Sequence, residues 1–122
     1  MLPRNARLTS PLDFARTTKS GVRATSDNFV GYLYIQAGEK SPARAGLIVG
    51  KSVGGSVQRH RLSRQLRHAI APELNALPTG SLFVIRALKG AAPSSVQSEI
   101  AAIVKTLTSK VAKIAARSEV RQ

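Results

Sequence analysis

The stretch Lys51-Ser52-Val53-Gly54-Gly55-Ser56-Val57-Gln58-Arg59-His60-Arg61-Leu62-Ser63-Arg64-Gln65-Leu66-Arg67-His68-Ala69-Ile70 decides how the rest of the chain is read. It holds four arginines and both histidines of the protein, while no acidic residue lies between Glu39 and Glu73. With Leu62 as reference and about 100° per residue, Leu66, Ala69, Ile70 and Leu74 gather on one side. Arg61, Arg64 and His68 fall opposite, with His60 and Arg67 at the margin. This spacing predicts a helix that packs one face on a sheet and presents guanidinium groups from the other. Arg59 falls near the apolar side at the helix entrance, where it faces a groove rather than open solvent. An ordinary solvated face would place glutamates one turn from its arginines, and this one carries none. Arginine's planar fork suits phosphate oxygens, so the expected partner of this helix is RNA.

Immediately upstream, Gly54-Gly55-Ser56 reads as a flexible turn whose serine caps the helix. Ala45-Gly46-Leu47-Ile48-Val49 reads as a strand, apolar enough to be central in a sheet, and it runs into Gly50-Lys51-Ser52. The combination satisfies a relaxed phosphate-loop pattern. That chemistry needs a glycine-rich loop with amides pointing inward, whereas Gly46-Leu47-Ile48-Val49 belongs in a buried strand. No apolar run ending in aspartate follows to hold magnesium. A nucleoside triphosphatase is set aside.

Further out, Phe29-Val30-Gly31-Tyr32-Leu33-Tyr34-Ile35 has the aromatic and β-branched content of a strand, within a period-two pattern that begins at Val22. The turn at residues 38–42 suggests that this strand pairs antiparallel with the one at 45–49. Ser10-Pro11 marks a helix start, Leu12, Phe14 and Ala15 offer its apolar face, and Gly21 is placed to end it. Beyond the basic helix, Pro72 breaks the pattern, Pro78-Thr79-Gly80 is a turn, and residues 81–86 form a further strand. A break from Gly90 to Pro93 precedes a capping-box-like start at Ser94 and Gln97. Val96, Ile100, Ile103, Val104, Leu107, Val111 and Ile114 then keep helical spacing for about five turns. The order is helix, two or three strands, basic helix, strand, long helix. No repeat interrupts it, so residues 1–122 read as one RNA-binding domain, with 1–9 and 118–122 flexible.

The 122 residues include nineteen Lys and Arg against six Asp and Glu, a formal charge of +13, with 43% hydrophobic residues and no cysteine. Such a chain folds, repels itself, and seeks phosphates or an anionic surface. No disulfide framework or thiolate metal site exists. The first residues lack the apolar core of a signal peptide and no apolar run approaches a membrane span, so a soluble cytoplasmic protein is expected. The basic C-terminal helix is more simply a cover for the sheet than a membrane-surface helix.

Protein-based catalysis is not expected. Asp13, Asp27, Glu39, Glu73, Glu99 and Glu119 are scattered, without a close pair for acid and base work or a cluster to hold a metal. His60 and His68 on one helix stand about 12 Å apart along its axis, too far to act on one phosphate.

The run from Arg44 to Arg67, with its strand end, glycine turn and Arg59-His60-Arg61, resembles the signature region of the bacterial ribonuclease P protein family. Leu2-Pro3-Arg4-Asn5-Ala6-Arg7-Leu8, the Asp13-Phe14 pair and Tyr32 fit the same pattern, which covers nearly the whole chain. Departures are His60 in place of the family's asparagine, Gly55 in place of another, Ser52 and Ser63 where lysines are common, and Thr18 where many members have an aromatic. The resemblance implies an α/β (α+β) two-layer sandwich like ribosomal protein S5 domain 2. Its sheet of about four strands would carry three helices and a left-handed βαβ crossover, which general handedness rules would argue against. It also implies a subunit of a ribonucleoprotein endonuclease that removes the 5′ leader of precursor tRNA. In that family the catalytic RNA cuts and holds the catalytic magnesium that the ribonucleoprotein requires; no catalytic residue, bound metal or small-molecule cofactor is expected of the protein itself. Carried over by position, Lys51, Arg59, His60, Arg61 and Arg64 contact the catalytic RNA, and Phe14, Tyr32 and Arg67 line a leader cleft between sheet and basic helix. The competing reading is a ribosomal or RNA-chaperone protein with no role in cleavage.

Overall fold

Ser81-Leu82-Phe83-Val84-Ile85-Arg86-Ala87 is apolar on both of its faces, which in a pleated strand requires cover on both sides and neighbours on both edges. The computed structural model describes residues 6–36, 38–88 and 96–120 and meets that requirement. The elements run α1 (Pro11–Ser20), β1 (Val22–Thr25), β2 (Phe29–Ile35), β3 (Arg44–Ile48), one 3-10 turn (Lys51–Val53), α2 (Ser56–Leu74), β4 (Ser81–Ala87) and α3 (Val96–Val120). The sheet order is β1-β2-β4-β3, so β4 is an inner strand. Leu82, Phe83, Val84 and Ile85 are at most 1% exposed.

The expected antiparallel pairing of β2 with β3 does not form. Both strands pair with β4 instead, β2 antiparallel (Phe29↔Ala87 to Ile35↔Ser81) and β3 parallel (Arg44↔Leu82 to Ile48↔Arg86). The physical reason is α2: a helix between β3 and β4 returns the chain to the end at which β3 began, making the two strands parallel. β3 is therefore an edge strand rather than a central one, and the preceding segment covers part of that edge. Arg7 bridges Ala45, and the Leu8 amide donates to the Ala45 carbonyl at 2.8 Å. Leu8 is buried, so the looseness expected of residues 1–9 does not extend to it.

Alternation along the strands assigns the two faces. Phe29, Leu33, Phe83, Ile85 and Ala87 join Leu62, Leu66 and Ile70 of α2 and Ile100, Ile103, Val104 and Leu107 of α3 in the main core. Val30, Tyr32, Leu82 and Val84 face the other way and form a smaller cluster with Leu8, against which Phe14 of α1 packs. Two glycines set how closely the helices approach. A Cβ at Gly31 would collide with the Ile103 side chain, and one at Gly46 with the Phe14 ring.

Local details sharpen the sequence reading. Ser10 caps α1 by accepting from the Asp13 amide at 3.5 Å. Leu12, expected on the apolar face, is 67% exposed, while Thr17 is buried in its stead. The Thr17 hydroxyl satisfies itself on the Asp13 carbonyl at 2.7 Å, which makes a threonine tolerable there. Gly21 does end α1, in extended rather than left-handed backbone. Its Cβ would lie 2.6 Å from the Leu33 carbonyl oxygen, and that approach is why glycine stands there. Pro72 does not stop α2, which continues to Leu74. The expected break at Gly90 to Pro93 and the Ser94 cap lie outside the described residues.

Residues 45–48 are strand, as the rejection of a phosphate loop required. The β1–β2 turn is tied to α3 by Glu99, whose carboxylate accepts from the Ser26 hydroxyl at 2.7 Å, the Asn28 amide at 3.0 Å and the Asn28 side chain at 2.8 Å. Among the described residues no helix is long and apolar enough to cross a membrane.

Candidate nucleic-acid interface

The basic helix is launched by backbone that few residues other than glycine adopt. Gly54 has φ +151°, and Gly55 is the N-cap in extended backbone. The Gly55 amide donates to Oε1 of Gln58 at 2.6 Å. Ser56, expected to cap, is instead the first helical residue. One half of a capping box is thus present: the side chain three residues in reaches back to the cap amide, and no cap side chain answers it.

From that start, Leu62, Leu66, Ala69 and Ile70 are buried and Leu74 is half-buried, as the periodicity predicts. The opposite side carries Val57, His60, Arg61, Arg64, Arg67 and His68 around one shallow depression of about 410 Å³. Their spacing of three and four residues makes them a single row, about 16 Å long at 1.5 Å per residue. His60, Arg61, Arg64 and His68 are exposed and Arg67 is half-buried. Among the described residues no carboxylate pairs with Arg61, Arg64 or Arg67. Three guanidinium groups in one row, none neutralised internally, present forked donors that match successive phosphates of a polynucleotide backbone.

The remaining expected site residues divide by position. Lys51 is exposed in the 3-10 turn that precedes α2. Arg59 lies three residues before Leu62 and seven before Leu66, on the sheet-facing side rather than in the row. It is half-buried, and its Nε is enclosed without a hydrogen-bond partner. Phe14 and Tyr32 are together: Tyr32 is 8% exposed within the smaller core cluster, with the half-buried Phe14 against it. Arg67 is not placed with that pair. It stands in the row with Arg64 and His68, while α2 anchors into the main core across the sheet from Tyr32.

Two further residues belong to these surfaces. His68 completes the row, and its signal was available, since His60, Arg64 and His68 are spaced by four. Arg86 is the exposed residue of β4. It pairs with Val30 and Ile48 on the face that carries Tyr32, a placement that needs the strand register and so was hidden in the sequence.

Comparison with known proteins gives a single direction. The family model described as Ribonuclease P matches residues 2–112. The ribonuclease P protein component of Mycobacterium sp. (strain KMS) is 43% identical over 95 residues, spanning 78% of this chain and 80% of its own. That of Mycobacteroides abscessus is 40% identical over 98% of this chain and 94% of its own. In fold, the chain is similar to the RNase P protein of Staphylococcus aureus, with TM-score 0.73, 21% identity, and coverage of 83% of this chain and 94% of that one. The RNase P protein from Thermotoga maritima superposes with TM-score 0.64, 21% identity and the same two coverages.

Proposed function

The chain belongs to the ribonuclease P protein family, and from that premise we propose that it works as the protein subunit of ribonuclease P in the 5′ maturation of tRNA. The ribonucleoprotein is an endoribonuclease that removes the 5′ leader of precursor tRNA. Cutting belongs to the RNA subunit, which holds the catalytic magnesium. The protein's part is to grip and position RNA. The single observation that carries this reading is the cationic row on α2, unpaired among the described residues and mounted on a helix anchored by Leu62, Leu66 and Ile70.

The division of surfaces suggests a division of labour. His60, Arg61 and Arg64, with Lys51 at the head of the helix, contact the catalytic RNA through its phosphates. Arg59, held on the inner side of α2, contributes less. Phe14, half-buried against the buried Tyr32, offers the stacking surface for a single strand, as aromatic side chains do in proteins that hold unpaired bases. Arg67, in the row and across the sheet from that pair, joins the contacts to the catalytic RNA instead. Bound phosphate charge neutralised by these residues lowers the magnesium that the RNA needs for folding and cleavage, because cations of either kind offset the same backbone repulsion.

Reconstitution tests the whole. Adding the purified protein to its cognate ribonuclease P RNA is expected to lower the magnesium concentration needed to cleave precursor tRNA. Cleavage that is the same with and without protein at every magnesium level, together with co-sedimentation on ribosomal subunits, would replace this reading with that of a ribosomal or chaperone-type RNA-binding protein.

A further inference from the structure

Resting on the reading of α2 as the RNA-binding helix, we propose that His60 and His68 are phosphate contacts of the row whose protonation accompanies RNA binding, so that affinity for RNA rises as pH falls. Both rings are exposed, stand four residues to either side of Arg64, and line the same depression as Arg61 and Arg67. Residues four apart on a helix are surface neighbours, with Cβ atoms about 5–6 Å apart. Successive phosphates along Arg61, Arg64 and Arg67 therefore each lie beside one imidazole, His60 at the Arg61 end of the row and His68 at the Arg67 end. Imidazole is the side chain whose ordinary charge change falls within the range of about pH 5 to 8. An adjacent phosphate favours its protonated form, in which both nitrogens donate.

The surroundings leave the phosphate as the partner that decides this. α2 packs against α3, β3 and the turn at Lys51–Val53. These bring Glu99, Lys105, Lys110 and Lys113 on α3, Arg44 on β3, and Lys51, but none of them lines the depression. Glu99 is already engaged by Ser26 and Asn28. On α2 itself, Glu73 is five residues past His68, on another side of the helix, and Arg59 faces inward. Among the described residues no carboxylate lines the depression with either ring.

The sign follows from proton linkage. If the complex holds more protons than the free partners, association strengthens as pH falls. One proton taken up gives at most a tenfold change in affinity per pH unit. For two rings crossing only part of their titration, the expected gain between about pH 8 and about pH 6 is roughly three- to tenfold.

Filter binding of the full chain to its cognate ribonuclease P RNA, at constant salt and magnesium and at those two pH values, tests the proposal. The comparison is wild type against the double variant His60→Gln/His68→Gln, with far-UV circular dichroism showing that both remain folded. The wild type is expected to show the gain and the variant a ratio near one. Because the RNA is common to both, its own titration cancels in the comparison. A wild-type ratio near one, or the same ratio in the variant, overturns the proposal while leaving α2 as the RNA-binding helix. An absence of binding at either pH sinks that underlying reading and the proposal with it.

Discussion

Arg61 and Arg64 point outward, are exposed, and have no carboxylate partner among the described residues, so removing either breaks nothing inside the fold. Arg61→Ala and Arg64→Ala are each expected to reduce the slope of log affinity against log salt by about one, the mark of a lost phosphate contact. Stability should stay within about 0.5 kcal/mol of wild type, as for substitutions away from caps and core. Filter binding across a salt series, with urea unfolding beside it, reads both. An unchanged slope would remove these arginines from the contact surface. Arg59 is the instructive contrast. Its Nε is enclosed without a partner, and an enclosed donor without an acceptor is a cost rather than a gain. Arg59→Met, which keeps an apolar stem, is expected to leave stability equal or higher and to change the salt slope less than Arg61→Ala does. A slope change as large as that of Arg61 would place Arg59 in the row after all. The three arginines look alike in sequence, and only their angular positions on the helix separate them.

At the scale of elements, what the sequence makes legible is what depends on local periodicity. α2 and α3 could be read because Leu62, Leu66 and Ile70, and Ile100, Ile103 and Leu107, repeat at helical spacing against a polar background. Strand pairing could not. Strand β4 is apolar on both faces, which declares an inner strand without naming its neighbours, and a turn between two strands suggests a hairpin by default. The parallel βαβ arrangement instead follows from α2, whose path back along the sheet is a property of the whole layer. Cap identity was missed for a related reason. Gly55 holds the N-cap position by backbone geometry and through Gln58, so the nearer serine misled. Helix-to-sheet spacing was also invisible until the register was known, and it yields a prediction. A Cβ at Gly46 would enter the Phe14 ring, and β3 is held by pairing to β4 on one side and by Leu8 on the other. Gly46→Val should therefore displace Phe14 rather than the strand, costing about 1–3 kcal/mol as overpacking does. The urea midpoint measures the cost. A wild-type midpoint would mean that α1 is not seated on this face.

For the whole molecule, the question is what a net charge of +13 on 122 residues does to the folded state. Three of the six acids are committed to local structure. Asp13 sits in the first turn of α1, and Glu99 ties the β1–β2 turn to α3. Glu39 closes the loop before β3; the Ser41 hydroxyl, then the Ser41 and Lys40 amides, hold its carboxyl below the usual range. The cations are thus left to repel one another, and compaction concentrates that repulsion. The unfolded chain carries the same charge but spreads it, so a polyanion binds the folded state preferentially only to the extent that cations are organised into a surface such as the α2 row. A ligand at about a hundred times its Kd stabilises by about 2.7 kcal/mol if it ignores the unfolded chain. For a domain of this size that corresponds to a melting shift of roughly 8–15 °C, and binding to the unfolded chain lowers it. The expected result is a rise of several degrees in the melting temperature on adding saturating polyphosphate at low salt, read by circular dichroism. High sodium chloride should erase most of the rise, since screened charges neither repel nor attract at this range. Arg61→Ala/Arg64→Ala should show a smaller rise than wild type in the same polyphosphate. An equal rise would show that the stabilising anion follows total charge, and that the row on α2 is no more than its share of it.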